Sequence, residues 1–385
     1  MLKKFAVTNY KNFKDTLCFD FSSVGGYKFN QDCIANNLLG KAIIYGRNAT
    51  GKTNLGGAFD DITKVLGGQK FPGTNRILNA DSNEAFASFY YEFEFGNDCV
   101  VYEYLKNQND EIKRESLYLN GKSVFKLDLV DFFFGDFRFD LVGAETIQLE
   151  RYLALIRHDY VDVEDGGSGQ IPFLRFILNS TPLLPDSVLR KMEDYVSRMR
   201  LYSVTQQIFG VSRVQNNVQF LDYLKDKKNL QDFEYFLNVM GISCGLYLDV
   251  LPDGQNALYF QYDKLVPFFE TASSGTLSLT NIYRRFVVTA RRPSFIYMDE
   301  FDAFYHYEMA ENLVKYFKQQ YPECQIVMTT HNTNLMTNHL MRPDCVFILS
   351  RDGRLTALCD ATERELREGH NLEKLYIGGE FEKYE

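Results

Sequence analysis

Paired cysteines, a surplus of basic charge and long apolar runs are what this 385-residue sequence lacks. The seven cysteines, at 18, 33, 99, 244, 324, 345 and 359, stand singly. Without a CxxC pair they give neither a zinc-ligand pattern nor a disulfide framework, and reduced thiols are expected. Acidic residues outnumber basic ones, 51 against 42, for a net charge of -9. That excludes a protein that coats nucleic acid by charge alone, because such binding draws on excess Lys and Arg. A local basic strip such as Arg284-Arg285 with Arg291-Arg292 stays open, although a solvated face is its plainer reading. No stretch approaches the roughly 20 apolar residues of a spanning helix. The opening MLKKFAVTNYKNF also lacks a signal-peptide core. A soluble cytoplasmic chain with no membrane partner is expected. Repeats, low-complexity tracts and heptads long enough for a coiled-coil arm are absent too.

What is present is ordinary globular composition, 45% hydrophobic and 24% charged, enough to bury a core without staples. Alternation in KKFAVTNYKNF predicts an opening strand, and the apolar run Ala42 to Tyr45 predicts a second that enters a glycine-rich loop. Leu55 to Leu66 has helical spacing and stops at Gly67-Gly68. From Ala85 to Leu127, short Tyr, Phe and Val runs broken by Gly-Asn and Asn-Gly predict an antiparallel meander, with a hairpin turn at Asn120-Gly121. Charged helical segments, SVLRKMEDYVSRMRLY and NNVQFLDYLKDKKNLQDFEYFLNVM, then predict an inserted helical lobe. A strand-like stretch, Leu246 to Tyr262, turns at Pro252-Asp253-Gly254. Three apolar runs of the parallel-sheet kind follow, at Phe295 to Met298, Gln325 to Thr329 and Cys345 to Ser350.

The chemistry begins at GRNATGKT, Gly46 to Thr53, which fits G-x-x-x-x-G-K-[ST] between a strand and a helix. At average glycine usage a chain of this length matches by chance roughly once in a hundred, so the context carries weight. Gly46 and Gly51 let the amides of Arg47, Asn48, Ala49, Thr50 and the following Asn54 turn towards phosphates. Lys52 would reach the β and γ phosphates, and Thr53 would offer its hydroxyl to Mg2+. The strand ending Met298-Asp299-Glu300 sets two carboxylates at the carboxyl edge of the sheet. Asp299 suits the metal and Glu300 the attacking water as general base. The strand Ile326 to Thr330 ends at His331, which could touch a γ phosphate. The small residues Ala272-Ser273-Ser274-Gly275-Thr276 precede a helical Leu279 to Val288; they suit an anion, but also an ordinary cap.

Phosphate loop, helical insertion, SSGT segment, MDE strand and strand-end His, in that order and over nearly the whole chain, resemble the ABC-type ATPase heads of the RecF, SMC and OLD group. The phrases FAVTNYKNF, MDEFDAFYH, TTHNTNLM and NLEKLYIGGEF look like the ATP-binding proteins of bacterial phage-defence operons, the RloA and AbiL type and more loosely PtuA and AriA. The resemblance implies an α/β P-loop NTPase with an ABC-type head, an antiparallel β subdomain and an inserted helical lobe. Expected parts are 1-182 with the phosphate loop and meander, 183-242 as helical lobe, 243-360 as the rest of the head, and a tail 361-385. It also implies ATP and Mg2+ between two copies of the chain in a homodimer or higher oligomer. Ser274, Gly275 and Thr276 would arrive from the opposite copy as signature loop, and Asp302 and His306 would communicate across the interface. A separately encoded effector, such as a nuclease or toxin, would be the partner.

The signature reads SSGT instead of LSGGQ, and Gln148 and Gln170 are both candidates for the glutamine loop. Only 54 residues follow His331, too few for the nuclease domain of OLD proteins. The rival readings are a DNA-binding repair or chromosome-maintenance ATPase, a transporter motor subunit and a non-hydrolysing scaffold. The presence of both Asp299 and Glu300 favours turnover. The tail's Leu372, Leu375, Tyr376, Ile377 and Phe381 fit either packing on the same domain or partner docking.

Overall fold

Lys41–Tyr45, Phe295–Asp299, Gln325–Thr330 and Val346–Leu349 are strands in which every residue is buried. Strands buried on both faces belong in a parallel sheet covered by helices. In the computed structural model, which describes residues 1–68, 77–159, 171–203, 213–252, 254–289 and 291–385, they form that sheet. Its order is Met199–Ser203, Phe295–Asp299, Gln325–Thr330, Lys41–Tyr45, Val346–Leu349 and Leu355–Ala357; only the last is antiparallel. The expected α/β P-loop architecture with an antiparallel subdomain is therefore what the chain adopts. The strand leading into the phosphate loop lies centrally, between the strand that ends just before His331 and the one that ends just before Ser350.

Helix Lys52–Gly67 follows the loop and ends where Gly68 takes a left-handed φ of 68°. Its Gly56 lets it lie close on the parallel sheet: a Cβ there would stand 2.6 Å from the Tyr297 ring. On its other side the helix meets a seven-stranded antiparallel sheet. That sheet runs in the order Phe133–Gly135, Lys122–Asp128, Ile112–Leu119, Asp98–Lys106, Ala87–Phe95, Leu2–Thr8 and Leu17–Asp20. The Phe5 and Phe59 rings sit 4.2 Å apart across this junction, and the Tyr91 hydroxyl donates to Ala58 O at 2.6 Å. The meander and its Asn120-Gly121 turn form as expected, both residues at positive φ, 51° and 74°.

One expectation fails within 183-242. Met199 to Tyr202, expected as the end of a helix, lie in Met199–Ser203, the edge strand of the parallel sheet, paired residue for residue with Phe295–Asp299. Apolar Met192, Tyr195, Val196, Met199 and Tyr202 keep helical spacing across the break, so local pattern could not expose it. Pairing with a buried strand overrides that propensity. The rest of the region is helical at Val188–Ser197, Arg213–Tyr223 and Lys227–Val239. Leu246–Val250 and Asn256–Gln261 form a hairpin, with Asp253 of the expected turn outside the described residues. The helix expected from Leu279 begins earlier, at Ser274, and runs to Phe286.

Candidate functional site

The loop after Tyr45 bends through two left-handed residues, Ala49 at φ 67° and Gly51 at φ 103°. Only glycine fits position 51, where a Cβ would also lie 2.2 Å from Asn12 Nδ2. Asn12, in the turn after the first strand, clamps the loop. Its amide donates to Thr50 O at 2.9 Å, and its carbonyl oxygen accepts from Asn54 Nδ2 at 2.7 Å. Arg47, Asn48 and Ala49 are exposed, and the Thr50 hydroxyl closes the turn on Arg47 O at 3.0 Å.

Lys52 folds back into this loop, its ammonium donating to Gly46 O at 2.7 Å and Arg47 O at 3.2 Å. Burial pushes its pKa below the ordinary lysine value, while the nearby carboxylates of Glu300, Asp299 and Asp302 pull against that shift. A cation lined by loop carbonyls and opposed by three carboxylates is poised to gain from an anionic ligand.

The Thr53 hydroxyl donates to Asp299 Oδ2 at 2.6 Å, across 246 residues of sequence. Thr329, at the end of the neighbouring strand, donates to Asp299 Oδ1 at 2.9 Å and accepts the Glu300 N–H at 2.8 Å. A single hydroxyl thus ties both carboxylate residues. Glu300 has a φ of 48°, rare for a side-chain-bearing residue and a form of backbone strain that clusters at functional sites. Thr53 and Asp299 together present adjacent hard oxygens at a helix start, a donor set that fits Mg2+.

Thr330 donates to Asp302 Oδ2 at 2.8 Å, whereas Asp302 Oδ1 is buried without a hydrogen-bond partner among the described residues. Burial raises the pKa of Asp302 and the Thr330 bond opposes the shift. His331 is exposed directly after Thr330. Ser273, not Ser274, caps the helix Ser274–Phe286, its Oγ accepting Thr276 N–H at 3.1 Å. Ser274 is exposed, while Gly275 and Thr276 are buried. A Cβ on Gly275 would stand 3.0 Å from Phe304 O, and the Tyr305 hydroxyl donates to Ser278 at 2.7 Å. The SSGT helix therefore rests on the loop that follows Glu300. His306 is exposed and precedes the helix Tyr307–Gln320.

The structure thus brings together Gly46 to Asn54, Asp299, Glu300 and Asp302, and it joins Ser274 to Thr276 with the 304–306 loop as a separate group. Gln148 is exposed at the start of helix Leu149–Asp159, where its carbonyl receives the Arg151 and Tyr152 N–H groups. Gln170 lies outside the described residues. Sequence reasoning missed Asn12, Thr329 and Thr330. The two threonines had a signal, paired hydroxyls closing a buried strand just before His331; Asn12 had none.

Residues 41–337 match the model of the family described as "AAA domain, putative AbiEii toxin, Type IV TA system". The chain belongs to this AAA-domain family. The matched span runs from the phosphate-loop strand past His331. Among solved structures the AAA-domain chain is similar to an SMC head bound to the C-winged helix domain of ScpA: TM-score 0.53, 16% identity, covering 93% of this chain and 97% of that one. It is also similar to the SMC head domain from Thermotoga maritima: TM-score 0.47, 15% identity, covering 92% and 98%. At such identity the first likeness speaks for the fold alone. No curated protein matches the chain significantly. Family and fold make it a P-loop ATPase domain, and no described helix is long and apolar enough to cross a membrane.

Proposed function

We propose that this AAA-domain chain closes as a dimer around ATP and Mg2+, hydrolyses the nucleotide, and through that cycle controls a separately encoded effector in anti-phage defence. The observation that carries hydrolysis is the wiring Thr53–Asp299–Thr329–Glu300, in which one threonine fixes the metal-side carboxylate and the backbone of the base.

Lys52 would exchange its two carbonyl acceptors for β and γ phosphate oxygens. Mg2+, held by Thr53 and Asp299, neutralises phosphate charge when bound. Glu300 accepts a proton from the attacking water. His331 meets the γ phosphate, and a protonated ring there would also lower the pKa of Asp302. Ser274 and Gly275 reach the nucleotide of the opposite copy; the exposed Ser274 and the exposed Phe304, whose carbonyl backs onto Gly275, support this. Asp302 and His306, on the loop beneath that helix, would relay the state of one site to the other. ATP then favours the closed dimer because it contacts both copies only in that state.

The effector role draws on the toxin-system wording of the family and on the MDEFDAFYH and TTHNTNLM phrases. A second reading, a DNA-binding ATPase of SMC type, has one observation in its favour. Burial lowers the pKa of Arg200, and Arg285 and Arg198 lie close enough to lower it further. A toxin-like neighbouring reading frame would favour the first reading, and a repair gene the second. In the direct test, Glu300→Gln retains ATP binding, accumulates the dimer and stops phosphate release; unchanged release would remove Glu300 as the base.

A further inference from the structure

The guanidinium of Arg47, second residue of the phosphate loop, is held by a carboxylate 338 residues away. Nε donates to Glu385 Oε2 at 2.9 Å, and Nη2 reaches the same oxygen. The Glu385 carbonyl receives the Arg351 N–H at 3.1 Å, just past the strand Val346–Leu349 that flanks the phosphate-loop strand. The segment bearing Glu385 is anchored by Leu372 and Phe381, both fully buried. Its helix, Leu372–Ile377, meets the turn after His331, where Thr333 Oγ1 donates to Glu373 at 3.3 Å. Tyr376 also contacts Glu385; its phenol is pushed up to about 12 by burial and then by that carboxylate. One short segment therefore grips both loops that would face the phosphates.

A carboxylate is the wrong charge to keep on a loop built for a polyanion. Arg47 remains 58% exposed on its side chain, and ion pairs of such exposed long side chains contribute little net stability. A triphosphate carries several charges where Glu385 carries one, and arginine's planar donors match phosphate as well as carboxylate. Once phosphate takes the guanidinium, Glu385, whose side chain is only 13% exposed, keeps its Tyr376 contact but loses its cation beside like charge.

We infer that Arg47 is an exchangeable anion contact: Glu385 and a bound polyphosphate compete for it, and when the polyphosphate takes it over the segment 371–385 loosens from the phosphate loop. The inference rests on the assignment of ATP to this loop. The test measures the affinity of a slowly hydrolysed ATP analogue for the full chain, with hydrogen exchange read across 371–385. Removing the competing charge, Glu385→Gln should tighten binding about fivefold, and Arg47→Ala should weaken it about tenfold, the range of ordinary site coupling. The double variant should match Arg47→Ala. The analogue should speed exchange in 371–385 of the unaltered chain and leave it unchanged in Arg47→Ala. Binding within twofold in Glu385→Gln, with no change in tail exchange, overturns the exchange while leaving the ATP assignment standing. No binding by the unaltered chain, indistinguishable from Lys52→Ala, removes both.

Discussion

On the antiparallel side of helix Lys52–Gly67, Asp61 accepts from Lys106 at 2.8 and 2.9 Å and from the Tyr104 hydroxyl at 2.7 Å, while Lys106 also holds Asp110 at 2.9 Å. Burial alone would lower the Lys106 pKa, but Asp61 and Asp110 outweigh it and raise the value. On the parallel side, Asp299 and Asp302 are also buried, yet their partners are hydroxyls that other ligands can replace, and Asp302 Oδ1 has none among the described residues. One sheet closes its charges on each other; the other leaves them open towards a loop. Buried charge is tolerated best when paired, so the first arrangement is structural, whereas the second suits the ligand role proposed for it. The comparison implies that substitutions on the two sides separate stability from turnover.

The largest effect is expected at Lys106. Lys106→Met strands the Asp61 carboxylate in the core and should cost about 3–5 kcal/mol of stability, read from the denaturant midpoint. Turnover per folded molecule should stay near that of the unaltered chain. A loss of stability under about 1 kcal/mol would break the comparison, because the Asp61 cluster would then be loosely held.

A smaller effect, on the same side, depends on pH. Glu115 accepts the Phe173 and Leu174 N–H groups, both at 2.7 Å, and the Tyr102 hydroxyl at 2.9 Å. Burial nevertheless outweighs these bonds and pushes its carboxyl up from 4.5 to about 7. The folded chain therefore binds a proton more tightly than the unfolded one. The stabilisation is complete below pH 4.5 and is lost as pH rises through about 7, by roughly 3 kcal/mol in all. Unfolding free energies across that range should fall with pH in the unaltered chain relative to Glu115→Gln. Parallel curves would show that Glu115 does not titrate as its surroundings require.

The same contrast governs what could be read from the sequence. Phosphate-loop chemistry is local: Gly46, Gly51, Lys52 and Thr53 lie within eight residues, and the Asp299-Glu300 pair ends a run whose apolarity marks it as buried. The meander is legible because alternation and Asn-Gly turns are local too. Tyr104 with Asp61, Asn12 with Thr50, and Arg47 with Glu385 are separated by 43, 38 and 338 residues, and nothing in one partner specifies the other. The strand Met199–Ser203 is hidden for the same reason, since its strand character comes from Phe295–Asp299 and not from its own spacing. The tail's apolar residues divide: Leu372 and Phe381 are fully buried on the same domain, whereas Ile377 is 70% exposed.

The smallest effect on folding, and the sharpest on chemistry, is expected at Thr329. Thr329→Val keeps the shape of the side chain and deletes only the hydroxyl that donates to Asp299 and accepts from Glu300 N. Asp299 keeps its bond to Thr53, so ATP affinity should change little. The Glu300 backbone, held at positive φ, loses the bond that fixes it. Its carboxylate should then wander from the water it must orient, and kcat should fall about tenfold, equivalent to roughly 1.4 kcal/mol of transition-state stabilisation. Thr329→Ser restores the hydroxyl and should recover most of the rate. If valine instead raises KM and spares kcat, the hydroxyl serves the metal side of the site and Glu300 is positioned by something else.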